Sequence, residues 1–446
     1  MKRLKQFTAL CLATIVSFSL VACSGTKATT EVETTDAETT EAEATEAEAT
    51  EAEAKDVTLT VWSIATESDA FHPAYLKAIE EFEAAHPGVT IKFETFENES
   101  YKTKIKAAVA ANELPDVFFT WGGGFSTSFV ESGKVLELDQ YYPTYQDGIS
   151  KAALQNATYG GKLYGSAMTT PVSCLFYNKK MFDEKGLKAP TTWDEYINVC
   201  KTFKDAGVTP IGISVKDTWV LAMTHDALTL KSAGPEKVKS ALTKQGQSYN
   251  DPDFIESAKK IKELVDAGYF LDGAEGLSND EASQEFYAGK VAMYITGSWM
   301  AGSLQTDPEN PADFAVAPIP VINPANAKIT DFMGGASDTL MASAASENPD
   351  LAAAAVFELT KAISHYAYLD GAGIPAWKVD YDASAVNPMT QQVAEYATGA
   401  TSFTLWFDTL MEAEDAGEYL ALLQQLYIGD LSPEEFAEAM AAQLEK

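Results

Sequence analysis

VTLTVW (residues 57–62), VTIKF (89–93) and DVFFTWGGG (116–124) are short runs rich in Val, Ile, Phe and Thr, which suit a pleated, half-buried strand. Between the first two runs, Ser68 or Asp69 can cap a helix with Tyr75, Ile79 and Phe82 on one stripe, and Pro87-Gly88 closes it. Between the second and third, Tyr101, Ile105 and Ala108 keep helical spacing until Leu114-Pro115 stops it. A β-α-β-α-β succession with such short joints predicts a parallel sheet in an α/β lobe.

Further along, Leu175-Phe-Tyr-Asn178 reads as another strand. Helices are expected over 193–206, opened by Pro190-Thr-Thr-Trp193, and over 253–267, opened by Asn250-Asp-Pro-Asp253. The run 288–295 is a strand entering Gly297-Ser298-Trp299, and 314–319 and 339–341 are short extended pieces. From Pro349 the chain reads as mainly helical, with breaks at 371–375 and 429–430. Residues 57–446 are too many for one typical domain and suit two.

Residues 1–22 have the build of a secretory signal peptide: Lys2, Arg3 and Lys5, then an apolar run from Phe7 to Val21. That run is shorter than the roughly 20 residues a bilayer demands. Leu20-Val-Ala-Cys23 resembles a bacterial lipobox, in which the thiol of Cys23 is acylated and becomes the new N-terminus. The expected location is therefore the extracellular face of the cell membrane, held by lipid alone. Residues 23–56 form an acidic Thr/Glu/Ala spacer, whose Thr-Glu-Ala repeats cannot bury enough apolar surface to order themselves.

The net charge of −33 lies mostly on residues 57–446, and such a surface repels phosphate backbones, so nucleic acid is excluded as a partner. A neutral or cationic solute fits the field better. Cys174 and Cys200 can pair or stand as free buried thiols; spacing forces neither. His72, His86, His225 and His365 lack metal-ligand spacing, and no metal or cofactor is implied. There is no nucleophile elbow, zinc-protease or Walker A motif.

Ligands of open parallel sheets bind beyond the carboxyl ends of the strands. Trp62, Trp121 and Trp299 fall at such ends, and Trp406 opens a late helix. Indole faces hold C–H-rich pyranose rings, while polar groups at the ring edge select hydroxyls. Each Trp can instead be core, as Trp193 is expected to be in the first turn of its amphipathic helix.

With Glu113-Leu-Pro-Asp-Val117, Gly161-Lys-Leu-Tyr-Gly165, Tyr177-Asn-Lys179, Gly289–Trp299 and Met333-Gly-Gly-Ala336 in this order, the chain resembles family 1 extracellular solute-binding proteins. These are receptors of carbohydrate ABC importers, related to maltodextrin-binding proteins. The resemblance implies a two-lobed periplasmic-binding-protein-like fold (type II), the lobes joined by three crossings near 167–172, 313–317 and 360–366. The N-terminal lobe would be 57–168 plus 316–362, and the C-terminal lobe 169–315 plus 363–446. It implies ligand contacts at Trp62, Glu67, Trp121, Trp299, Gly335, Trp406 and Asp408, with Trp219 and Trp377 open between site and core. The implied partners are a neutral mono- or oligosaccharide and ABC permease subunits, and the implied state is a monomer. Where a maltodextrin-binding relative carries a carboxylate before the crossing strand, this chain has Thr169-Thr170-Pro171, which argues against maltose itself. Two other readings stay open: a glycoside-active enzyme using a carboxylate pair, and a sensor partner that presents its ligand to a membrane kinase.

Overall fold

The computed structural model describes residues 56–306 and 313–445. The signal peptide, Cys23 and the spacer up to Lys55 lie outside them. In chain order the strands are β1 (Val57–Ser63), β2 (Val89–Thr95), β3 (Val117–Trp121), β4 (Thr158–Tyr159), β5 (Lys162–Leu163), β6 (Gly165–Ala167), β7 (Ser173–Asn178), β8 (Thr209–Gly212), β9 (Val291–Gly297), β10 (Phe314–Ala317), β11 (Asp331–Met333), β12 (Asp338–Ala342) and β13 (Ser402–Thr404).

Two main sheets define two lobes. The first has the order β2-β1-β3-β12-β6, with β1 parallel to both β2 and β3 and with β12 antiparallel to β3 and β6. The expected parallel unit is therefore present, extended by two strands that arrive later. The helices His72–Ala85 and Pro349–Leu369 pack against each other, and the core includes Val61, Phe82, Tyr101, Phe118, Leu340 and Phe357. The second sheet has the order β10-β7-β9-β8. Its core gathers Phe176, Phe203, Leu228, Phe254, Met293 and Phe436. Capping boxes at Thr192/Glu195, Ser278/Glu281 and Ser432/Glu435 start three of its helices and satisfy their first backbone N–H groups.

The first crossing is residues 168–172, between β6 and β7. The other two lie later than the sequence suggests. Phe314–Ala317 is not a bridge but a strand of the second sheet, antiparallel to β7. The segment after it stays on the second lobe, where Lys231 binds the carbonyls of Lys328, Ile329 and Asp331 and β11 pairs with β13. The chain crosses only at Gly334–Ser337. Residues 360–366 lie inside the unbroken helix Pro349–Leu369. The third passage follows Tyr381, because Trp377 is still in the first core and donates from Nε1 to the Ala167 carbonyl oxygen at 3.0 Å. The first two crossings meet side by side, Gly335 N donating to Pro171 O at 3.0 Å, and Thr170 N of the first donates to Ile374 O at 2.8 Å. Cys174 and Cys200 are free, buried thiols. Among the described residues no helix is long and apolar enough to cross a membrane.

Candidate ligand-binding cleft

Between the sheets lies a cleft of about 1180 Å³. Its first-lobe wall is the loop following β1, the start of the helix Asn98–Ala111, and Trp121 with Phe125. Its second-lobe wall is built by the starts of the helices Thr218–Ala233 and Asn279–Tyr287, by Trp299 just past β9, and by Trp406 to Thr409. The carboxyl ends of β1, β3 and β9 thus face the same space, where open α/β sheets present ligand contacts.

The second lobe carries a row of three indoles. Trp219 and Trp299 have ring centroids 6.3 Å apart, and Trp299 and Trp406 6.1 Å. The Trp299 ring occupies the space beside Gly297, where a Cβ would stand 2.0 Å from the indole. Trp406 is 7% exposed, and its Nε1 donates to Ser173 Oγ at 2.9 Å. The next amide, Phe407 N, donates to Asp226 Oδ2 at 2.9 Å, and the Tyr419 hydroxyl donates to the other oxygen of that buried carboxylate. On the first lobe Trp121 meets Phe119 and Phe125 edge-on, both at 5.0 Å, with the Lys102 ammonium 5.5 Å from its ring.

The polar lining is mainly acidic: Asp69, Asp217, Asp280, Asp338 and Asp408, with Lys102, Lys106 and Lys216 as its cations. Burial pushes Asp69 up to about 6 and Asp338 up to about 7; Asp280 adds to the rise of Asp69, and Asp69 to that of Asp338. Burial also pulls the Lys106 ammonium down, as does Lys102, against the opposing pull of Glu99 and Asp408. Among the described residues no group of His, Cys, Asp and Glu could hold a metal ion.

Of the residues singled out in the sequence, Trp121, Trp299, Trp406 and Asp408 line this cleft together, and Trp219 joins them. Trp62 does not line it: its Nε1 donates to Glu94 Oε2 at 2.8 Å and the Lys104 ammonium sits 4.1 Å from its ring. Glu67 is exposed between Thr66 and Ser68, which do line the cleft. Gly335 lies at the second crossing with φ 135°, and Trp377 is buried in the first lobe. Trp193 is core, as read. No sequence pattern marks Asp69, Asp217, Asp280 or Asp338 as a ligand contact, Asp69 reading only as a candidate helix cap. Asp69 stands two positions past Glu67, whereas Asp338 opens β12 with no local pattern to mark it.

Two α/β lobes joined by three crossings around an indole-lined cleft define a solute-binding protein of the type II periplasmic-binding-protein-like fold. A sequence profile of bacterial extracellular solute-binding proteins matches residues 66–362, and the chain belongs to that family. A structure from a study of xylan utilization by the thermophilic bacterium Caldanaerobius polysaccharolyticus superposes with TM-score 0.83 at 36% identity, over 86% of this chain and 99% of that one. A chitin oligosaccharide binding protein gives TM-score 0.80 at 26% identity, over 87% and 98%. An uncharacterized ABC transporter extracellular-binding protein of Pyrococcus horikoshii is 28% identical over 269 residues, 59% of this chain and 61% of that protein. The chain thus spans about three fifths of that curated relative.

Proposed function

We propose that the protein is a receptor that takes a neutral oligosaccharide into the interlobe cleft and delivers it to an ABC importer. The observation that carries this reading is the Trp219-Trp299-Trp406 row facing Trp121 across the gap. Such faces offer apolar contact to pyranose rings, and the flanking carboxylates offer acceptors to ring hydroxyls. Trp121, Trp299, Trp406 and Asp408 are the proposed contacts, joined by Trp219. The two similar structures, one from a study of xylan utilization and one a chitin oligosaccharide binding protein, support an oligosaccharide as the ligand class. A sugar touching both lobes favours closure by its differential contacts, and the three crossings are the proposed hinge. Acylation of Cys23 would hold this monomeric receptor on the outer face of the membrane, where permease subunits read closure.

A thermal-shift panel of xylotetraose, chitotetraose, maltotetraose and raffinose tests the reading. A binder at 100 times its Kd adds about 2.7 kcal/mol of stability, and X-ray scattering should show a smaller radius of gyration at saturation. No shift with any of the four would count against a saccharide receptor, and shortened products would count against a binding protein.

A further inference from the structure

Asp69 and Asp338 line the cleft from two different elements, the loop after β1 and the start of β12. Each has one intramolecular partner at its carboxylate: Phe71 N donates to Asp69 Oδ1 at 2.8 Å, and Thr169 Oγ1 donates to Asp338 Oδ2 at 3.2 Å. An ionised carboxylate offers about four acceptor sites, so most of this pair's capacity is unused by the protein. The groups that face it do not supply a cation. Asp280, at the start of the helix Asn279–Tyr287 on the other lobe, adds a third negative charge beside Asp69. Tyr75 lies beside both acids, its hydroxyl 3.6 Å from Met168 Sδ. His72 lowers Asp69 slightly, but its Nδ1 is 2.8 Å from the Ala65 carbonyl oxygen, which it serves instead. Two like charges held together without a counter-ion cost stability, and binding sites retain such arrangements where the ligand supplies the missing donors.

We propose that Asp69 and Asp338 form a ligand-binding acceptor pair that takes hydroxyl donors of the bound saccharide. The inference rests on the saccharide reading of the cleft and adds two residues and a pH dependence to it. Above about pH 7 both acids are ionised and accept fully; below about pH 6 both hold a proton and accept poorly. Affinity therefore falls on acidification. The unliganded protein behaves in the opposite way. An acid whose folded value is raised destabilises the fold at high pH, and that cost fades as pH drops through the folded value.

The test uses the panel sugar with the largest thermal shift, titrated calorimetrically between about pH 8 and about pH 5. Wild-type affinity should fall across this range, and D338N and D69N should each lose about tenfold or more at about pH 8, with a flatter profile. Unliganded D338N should melt higher than wild type at about pH 8 and equal to it at about pH 4, a signature that a packing role would not give. The pH titration of the wild type stands even if a variant folds poorly. A pH-independent wild-type affinity, wild-type affinity in both variants, or tighter binding of a glucosamine tetramer than of chitotetraose would overturn the proposal. If no panel sugar binds the wild type, the saccharide reading itself fails, and this inference with it.

Discussion

The Cβ that Gly124 lacks would stand 2.1 Å from the carbonyl oxygen of Met411 and 2.6 Å from that of Leu410. Gly124 belongs to the first lobe and Met411 to the second, so two backbones from opposite lobes touch where any side chain would intervene. Gly123, with φ 90°, repeats the approach against Thr409 O at 2.9 Å. The glycine run after Trp121 therefore does two things: it ends β3 and leaves a notch into which the turn carrying Trp406 and Asp408 fits.

A methyl group in that notch should act as a wedge. In G124A the obstructing atoms are backbone and cannot rotate away, so relief requires the lobes to part on this side. Overpacking of this kind costs about 1–3 kcal/mol, which would appear as roughly five- to hundredfold weaker sugar binding. X-ray scattering of liganded G124A should give a larger radius of gyration than liganded wild type. Equal affinity and equal size would show that the notch is not used in the bound state.

Trp299 can be removed in two ways. W299A deletes the central indole of the row, and loss of a central aromatic anchor typically costs 2 kcal/mol or more of binding. Its partial exposure limits the stability loss to about 1–2 kcal/mol. G297A keeps the indole but puts a Cβ 2.0 Å from where the ring lies, so the ring must swing aside. Both variants should lose most of the ligand-induced thermal shift while their unliganded melting points stay near wild type. Collapse of the unliganded melting point in W299A would assign this side chain to the core.

Why the sequence marks Trp299 and leaves Trp219 open between site and core follows from local pattern. The run Val291–Gly297 is a buried strand of continuous apolar character, and the Gly-Ser-Trp that ends it marks the carboxyl edge. The helix Thr218–Ala233 is buried all round from Val220 to Ala233, so it has no amphipathic stripe to betray it, and Trp219 at its start had no context. Trp62 shows the limit of reasoning from strand ends. Neighbours in a strand point to opposite faces, and it is Ser63, not Trp62, that lines the cleft. The later crossings depended on long-range pairing. Nothing local says that Phe314–Ala317 joins β7, or that the Thr360 hydroxyl bonds Ser166 within an unbroken helix. Likewise, Thr169-Thr170-Pro171 carries no carboxylate of its own, yet the fold delivers Asp338 to Thr169.

Acid should weaken the second lobe through His225. This ring is fully buried, with Nδ1 2.9 Å from the Tyr419 hydroxyl, and burial pulls its pKa down to about 3. An unfolded histidine titrates near 6.5, so between these values the unfolded chain holds more protons and stability falls as pH drops. At about 1.4 kcal/mol per unit the full effect is at most about 4–5 kcal/mol. Asp226 beside it is pushed upward by burial and contributes with the opposite sign, so the comparison must be with H225Q. Urea denaturation between about pH 7 and about pH 4 should show a shallower loss in H225Q than in wild type; parallel curves would mean that the histidine stays uncharged in both states.

Lys231 holds the approach to the second crossing. Its ammonium is buried and donates to the carbonyls of Lys328, Ile329 and Asp331 at 2.9, 3.1 and 2.5 Å, and the first of these also accepts from Asp331 N at 3.1 Å. K231M fills the same volume but takes the donor from the Ile329 and Asp331 carbonyls, and about 1–3 kcal/mol of stability should be lost for each buried acceptor left unsatisfied. Burial lowers the lysine to about 8, below the unfolded value near 10.4. The folded form therefore holds fewer protons between these limits, and the charge-burial cost in wild type is full below about pH 8 and fades above it. The stability gap between wild type and K231M, read by urea denaturation, should accordingly widen from about pH 7 to about pH 10. A gap that narrows over this range would mean that the ammonium's charge contributes more to these three bonds than its burial costs.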